Sequence, residues 1–261
     1  MDVLYGIHAV EEALRAGNRS LDHIEVARER HDQRLQAVID LARETGVSLR
    51  FVAREQLDRL ARTKSHQGLV AVVAGKSYLD VGELLTSKNK HLFLAILDGI
   101  EDPHNLGALI RSADGAGANG IIIPERRAAA VNATVAKTSA GASEYVKIAR
   151  VVNLARTLDE LKAKNIWIVG LDERGQQNYD QLDYNMDCAI VLGAEGHGLH
   201  DLVRKKCDYL VSIPMAGRVP SLNVSVAGAI VMYEVARQRR SQSQATAAEH
   251  RPRKERKGLG S

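Results

Sequence analysis

The stretch IPMAGRVPSLNVSVAGAIVMYEVARQ, residues 213–238, decides how this chain is to be read. Ile213 closes a strand-like run. Pro214, Gly217 and Pro220 then break the chain into a loop, and a long apolar helix is expected over 221–240. Ser221 stands where a hydroxyl would accept an orphan N–H at the helix start, and Asn223 falls in the first turn. By itself Ser221 reads as an ordinary helix cap. The first half of the helix (Val226, Ala227, Gly228, Ala229, Ile230, Val231) is apolar all round, so more than one side should be buried.

Two earlier loops have the same strand–loop–helix grammar. LFLAILD, 92–98, is a buried strand ending at Asp98, and LDGIEDPHNLGALIRSADGAG, 97–117, carries it through a Pro turn into a helix from about His104. Asn105 sits at the mouth of that helix. Arg111, six residues on, lies in its second turn and on a different face. CAIVLGAEGHGLHDLV, 188–203, is a strand followed by Gly193, Ala194, Glu195, Gly196, His197 and Gly198, where three glycines around one carboxylate allow close backbone approach. A lone Glu there is as easily a helix cap.

Together these loops resemble the SpoU (TrmH-type) branch of the SPOUT superfamily. The matching pieces are N-x-G-x-x-x-R as Asn105, Gly107 and Arg111; L-G-x-E-G-x-G from Leu192 to Gly198; and I-P-M-x-G-x-x-x-S-L-N-V-S-x-A from Ile213 to Ala227. Within the family, the opening MDVLYGIHAVEEAL and the KSHQGLVAVV segment (64–73) resemble the bacterial 23S rRNA guanosine-2′-O-methyltransferases. The resemblance implies a C-terminal SPOUT domain, a mainly parallel α/β sheet with a deep trefoil knot, and S-adenosylmethionine as cofactor. It implies a cofactor pocket lined by Gly193, Ile213, Met215 and Leu222. It also implies a homodimer acting in the cytoplasm on 23S rRNA, with a ribosomal-protein-like N-terminal domain that binds RNA.

For the reaction, the resemblance selects Arg111, Asn105, Glu195, Ser221 and Asn223. A ribose 2′-hydroxyl must lose its proton and be aligned with a methyl carbon. Arg111 as a literal base is unattractive: with a pKa near ~13.8, holding it neutral at pH 7 costs roughly 9 kcal/mol. Arg111 is better placed as an oxyanion stabiliser that also grips an RNA phosphate, the proton passing to a phosphate or to water. Asn105 would orient Arg111 or the ribose, Glu195 would bond Arg111 or a base edge, and Ser221 and Asn223 would bind the nucleotide or fix the loop. His104 and His197 flank the motifs, but the resemblance places no chemistry on them. A tRNA substrate, or a non-catalytic RNA-binding protein on this fold, is the alternative.

The 261-residue composition fits this reading without leading to it. Cys188 and Cys207 alone, with no signal-like start, suit a reducing compartment. No apolar run is long enough for a membrane span, and no Cys/His cluster suggests a metal. Net charge is +4, of which +3 lies in 241–261, where five Arg/Lys face Glu249 and Glu255; that segment is expected to be a basic, disordered tail. RNA contact must then come from local cations: Arg126-Arg127, Lys205-Lys206, Arg218, and in the first domain Arg15, Arg19, Arg62 and Lys64. Gly115-Ala-Gly117-Ala-Asn-Gly120 spells a dinucleotide fingerprint, but helix precedes it and strand follows, the reverse of what that motif requires. The glycines there read as a helix end.

The chain divides into an α/β unit over 1–75, a polar linker over 76–90, the SPOUT domain over 91–240 and the tail. The first unit should hold helices near 6–16, 32–45 and 54–62 and strands near 22–27, 47–53 and 68–74. The second should hold strands near 92–98, 120–124, 146–150, 166–171, 188–192 and 209–213 alternating with helices, the pattern of a parallel sheet covered on both faces.

Overall fold

The computed structural model describes residues 1–28, 32–86, 90–194 and 196–249, with the side chains of 245–249 left aside. The first sheet is mixed. Its strands are β1 (Asp2–Tyr5), β2 (Leu21–Ala27), β3 (Ser48–Val52) and β4 (Leu69–Val73), in the order β1-β4-β2-β3. Helices α1 (Ile7–Ala16), α2 (Gln33–Glu44) and α3 (Arg54–Ala61) cover it. Ile7, Val10, Ala13 and Leu14 form the buried stripe of α1, and Asp32 caps α2 by accepting the Leu35 N–H at 3.0 Å. The expected elements are all present; β1 was not foreseen. It is four residues long and exists by pairing antiparallel with β4, about seventy residues away.

The second sheet has seven strands, all parallel: β5 (Phe93–Asp98), β6 (Gly120–Pro124), β7 (Ile148–Val151), β8 (Trp167–Leu171), β9 (Gln177–Asn178), β10 (Cys188–Gly193) and β11 (Tyr209–Ser212). Their order is β7-β6-β5-β10-β8-β11-β9. Every residue of β5 and β10 is buried, as a strand covered on both faces must be. Helices α5 (Pro103–Gly115), α6 (Ala133–Thr138), α7 (Leu154–Lys162), α8 (Asp201–Lys206) and α9 (Val224–Glu249) supply the cover. Helix α5 ends as expected at the G-x-G-x-x-G run: Gly117 is left-handed (φ +76), and the N–H groups of Ala118 and Gly117 close on the carbonyls of Ala113 and Asp114.

Three expectations are corrected. The 76–90 connection, expected as a polar linker with Leu84 and Leu85 as its anchors, carries structure of its own: Leu79 bridges Ala149, α4 (Val81–Leu84) forms, and Leu84 is buried beside Gly120 because its apolar side chain completes the core over β5 and β6. The last helix starts at Val224, not 221, and runs to Glu249, past the boundary set at 240; the rest of the tail lies outside the described residues. Arg19 is not an RNA contact. Its side chain is 3% exposed and pairs with Glu144 at 2.9 Å, where Lys76 Nζ also donates to the Ser143 carbonyl at 2.6 Å and burial lowers the Lys76 pKa. These bonds, with Tyr145 Oη to Glu12 at 2.6 Å, dock the small sheet against the segment 133–145 of the large one.

Candidate active site

The site gathers at the C-terminal ends of β5, β10 and β11, where a two-sided parallel sheet leaves its loops free. Asp98 ends β5. Asp102 then caps α5, accepting the His104 N–H at 3.0 Å with Pro103 in the first turn. This puts Asn105 on the first turn of α5, 7% exposed. From the far end of the chain, Asn223 donates through Nδ2 to Asn105 Oδ1 at 3.0 Å. Asn223, not Ser221, is the cap of α9: its Oδ1 accepts the Ser225 N–H at 2.9 Å, and its carbonyl takes the Ala227 N–H. One asparagine therefore starts a helix and ties two loops 118 positions apart.

Between these loops opens a cleft of about 440 Å³, walled by Gly99, Asn105, Ala194, Gly198, His200 and Val224 among others. Its second wall is the loop after β10, which folds back so that Gly198 N–H bonds the Ala194 carbonyl at 2.9 Å. A Cβ at Gly193 would run into the backbone of Gly198, so this turn needs glycine for packing alone.

The other expected residues are placed less closely together. Arg111 is exposed on α5, six residues or about 9 Å of helix axis beyond Asn105, its side chain making no hydrogen bond or ion pair to another described residue. Ser221 is exposed in the loop before α9. Glu195 lies outside the described residues. Ile213, Met215 and Leu222 are not in the cleft wall; they sit along the loop that leaves β11. Sequence reasoning missed His200, which lines the cleft beside Arg127, and the buried Asp98 bonded to it, with contacts of 2.9 Å (Asp98 to His200) and 3.5 Å (His200 to Arg127); Arg127 itself was expected only as an RNA-facing cation. The only signal was an Asp at the last position of an otherwise apolar strand, next to glycine.

The methylase model named SpoU rRNA methylase family matches residues 92–233, and a model for RNA 2′-O ribose methyltransferase substrate binding matches residues 3–79. The chain belongs to the SpoU rRNA methylase family. Among its SpoU relatives, the 23S rRNA (guanosine-2′-O-)-methyltransferase RlmB of Bordetella pertussis is 45% identical over 238 residues, covering 91% of this chain and 97% of that one. RlmB of Shewanella oneidensis is 45% identical over 243 residues, covering 92% and 98%. The SpoU methyltransferase AviRb of Streptomyces viridochromogenes, solved with AdoMet, superposes with a TM-score of 0.77 at 27% identity, covering 92% of this chain and 90% of that chain.

The loop after β11 has the chemistry that an adenosyl group requires. Residues 214–222 make no hydrogen bond to another described residue, and Met215 and Leu222 are 38% and 37% exposed beside that free backbone. Open backbone donors and acceptors next to apolar side chains suit the edge and face of an adenine. Of the expected RNA-facing cations, Arg126, Arg127, Lys205, Arg218, Arg15, Arg62 and Lys64 are exposed, whereas Lys206 is held by Asp159 at 2.6 Å. Among the described residues no cluster of three or more His, Cys, Asp or Glu could hold a metal, and no helix is long and apolar enough to cross a membrane.

Proposed function

We propose that this chain methylates the ribose 2′-hydroxyl of a guanosine in bacterial 23S rRNA with S-adenosylmethionine, acting in the cytoplasm as a homodimer. The observation that carries the reading is the Asn223–Asn105 hydrogen bond, which joins the first and third family motifs at a cleft whose other wall is the second. A pure RNA-binding protein has no need of that junction. The substrate follows the RlmB relatives at 45% identity and the match of the N-terminal region to a substrate-binding model.

The cofactor supplies an activated methyl group on a sulfonium. Gly193, Ile213, Met215 and Leu222 hold it, in a loop arrangement that includes the family's trefoil knot. Arg111 stabilises the developing oxyanion and grips an RNA phosphate, a planar fork suited to both. Asn105 and Asn223 orient the ribose, Ser221 contacts the nucleotide, and Glu195 bonds Arg111 or a base edge. Arg15, Arg62 and Lys64 meet RNA phosphates from the N-terminal domain. Val226 and Tyr233, 49% and 46% exposed on α9, belong to the dimer face.

The test is transfer of labelled methyl to unmodified 23S rRNA, with tRNA alongside, followed by nucleoside mass analysis. A 2′-O-methylguanosine product, reduced roughly a hundredfold or more in Arg111→Ala, is the expected result. Label in tRNA instead would overturn the substrate; no transfer and no cofactor binding would leave an RNA-binding protein. Near-wild-type rate in Arg111→Lys would remove the bidentate grip.

A further inference from the structure

Between α3 and β4 the chain is held in a shape it would not choose alone. Arg62 (φ +52), Gln67 (φ +56) and Gly68 (φ +77) are left-handed, which for the first two means backbone strain. Side-chain pins hold the shape. His66 is fully buried, and its Nε2 lies 2.8 Å from an Asp58 carboxylate oxygen. A carboxylate only accepts, so Nε2 carries the hydrogen and Nδ1 accepts the Gly68 N–H at 3.0 Å. Gln67 Oε1 accepts the Ile7 N–H at 3.1 Å, at the start of α1. Arg62 and Lys64 remain exposed.

A further pin comes from the other unit. Lys137, on α6, donates through Nζ to the Ser65 carbonyl at 2.7 Å. The same ammonium stands 5.3 Å from the centre of the Tyr5 ring on β1, whose hydroxyl lies 3.3 Å from Thr134 Oγ1. Helix α6 in turn lies directly on α5. A Cβ at Gly107 would come within 2.7 Å of Thr138 Cβ and 3.0 Å of the Val135 carbonyl oxygen, so the two helices meet with no side chain of α5 between them there. Thr138 Oγ1 is also 3.5 Å from His104 Nδ1. Gly107 and Arg111 are four residues apart, on one face of α5. Contacts therefore run unbroken from the 62–68 loop through Lys137 and α6 to the helix turn before Arg111.

The bonds of Arg19, Lys76 and Tyr145 already hold the two units together. The Lys137 bond is exposed to solvent and adds little to that hold. What it adds is register, because its far end is the loop that carries Arg62 and Lys64.

We infer that Lys137 is a positioning residue for methyl transfer. It fixes the 62–68 loop in register with the helix that carries Arg111, so that RNA gripped by Arg62 and Lys64 presents its target ribose at the arginine. This role presupposes the 2′-O-methylation reading and leaves the chemistry on Arg111. Misplacing a reacting group by about 1 Å can cost roughly a hundredfold in rate, so a loosened loop should slow transfer without releasing RNA.

The test compares full-length wild type, Lys137→Met, which keeps a long apolar stem but no donor, and Lys137→Arg, which restores one. The readouts are single-turnover methyl transfer at saturating unmodified 23S rRNA, affinity for that RNA, cofactor binding by calorimetry and the urea midpoint. In Lys137→Met the saturated rate should fall at least about tenfold, with RNA and cofactor affinities within about twofold and the midpoint near wild type. Lys137→Arg should recover the rate to within about threefold. A Lys137→Met rate within about twofold of wild type would overturn the role, as would a slow Lys137→Arg enzyme. Weaker RNA binding at an unchanged saturated rate would make Lys137 an ordinary phosphate contact and overturn it too. If wild type transfers and Lys137→Met matches it, this role alone fails; if wild type transfers nothing, the methylation reading fails and takes it along.

Discussion

In the small sheet, β3 pairs on one side only, and its residues point largely into solvent, Phe51 being 45% exposed; in the large sheet every residue of β5 and β10 is buried. The difference fixes where chemistry can sit. A parallel sheet covered on both faces has no polar surface except at the strand ends, so Asp98, the turn after Gly193 and the loop after Ser212 are brought to one rim. The N-terminal unit has no such rim, and its exposed cations Arg15, Arg62 and Lys64 are spread over its surface. A spread of charges suits grip on a long polyanion; a rim suits one reacting group.

The contrast can be broken at the joint between the two units. Removing the Glu144 carboxylate in Glu144→Ala leaves Arg19 buried without its partner and should cost about 3–5 kcal/mol, with the units unfolding in separate urea transitions. A single transition at unchanged midpoint would mean the pair does not couple them. At the rim, Asn223→Ala removes both a helix cap and the tie to Asn105. About 1–2 kcal/mol of stability should go, with methyl transfer falling far more than urea midpoint, because the same side chain serves folding and geometry. Full recovery of methyl transfer in Asn223→Ser, which keeps a capping oxygen but not the amide tie, would show that only the cap mattered. On the spread surface, Lys64→Ala should weaken RNA binding by less than about 1 kcal/mol and lower the salt dependence by roughly one counterion, at unchanged single-turnover rate. A rate loss there would mean that recognition and chemistry are not divided between the units.

Most of this architecture was legible because it is local. Apolar runs such as LFLAILD mark buried strands, and Pro103 and Asp102 mark a helix start. What escaped depends on partners distant in sequence. The two-residue β9 exists by lying beside β11. Arg19 looks like any surface cation until Glu144 is found 125 positions away. Ser221 and Asn223 are equally good caps by type; the choice of Asn223 reflects its second bond, to Asn105, which no local pattern encodes. The His200 ring was passed over because its orienting carboxylate, Asp98, belongs to another strand.

The strand order has a further consequence, for synthesis. β5 and β8 are made first, yet they never touch; β10 slots between them and pairs with both. Until residue 193 has emerged, a growing chain carries two unpaired apolar edges facing a gap, each open to pairing with another chain. Closing that gap requires contacts across 95 residues, an intrinsically slow step. The rim that carries the reaction is therefore among the last parts of this protein to exist, and a chain cut short before β10 has no catalytic half at all, only two sticky ones.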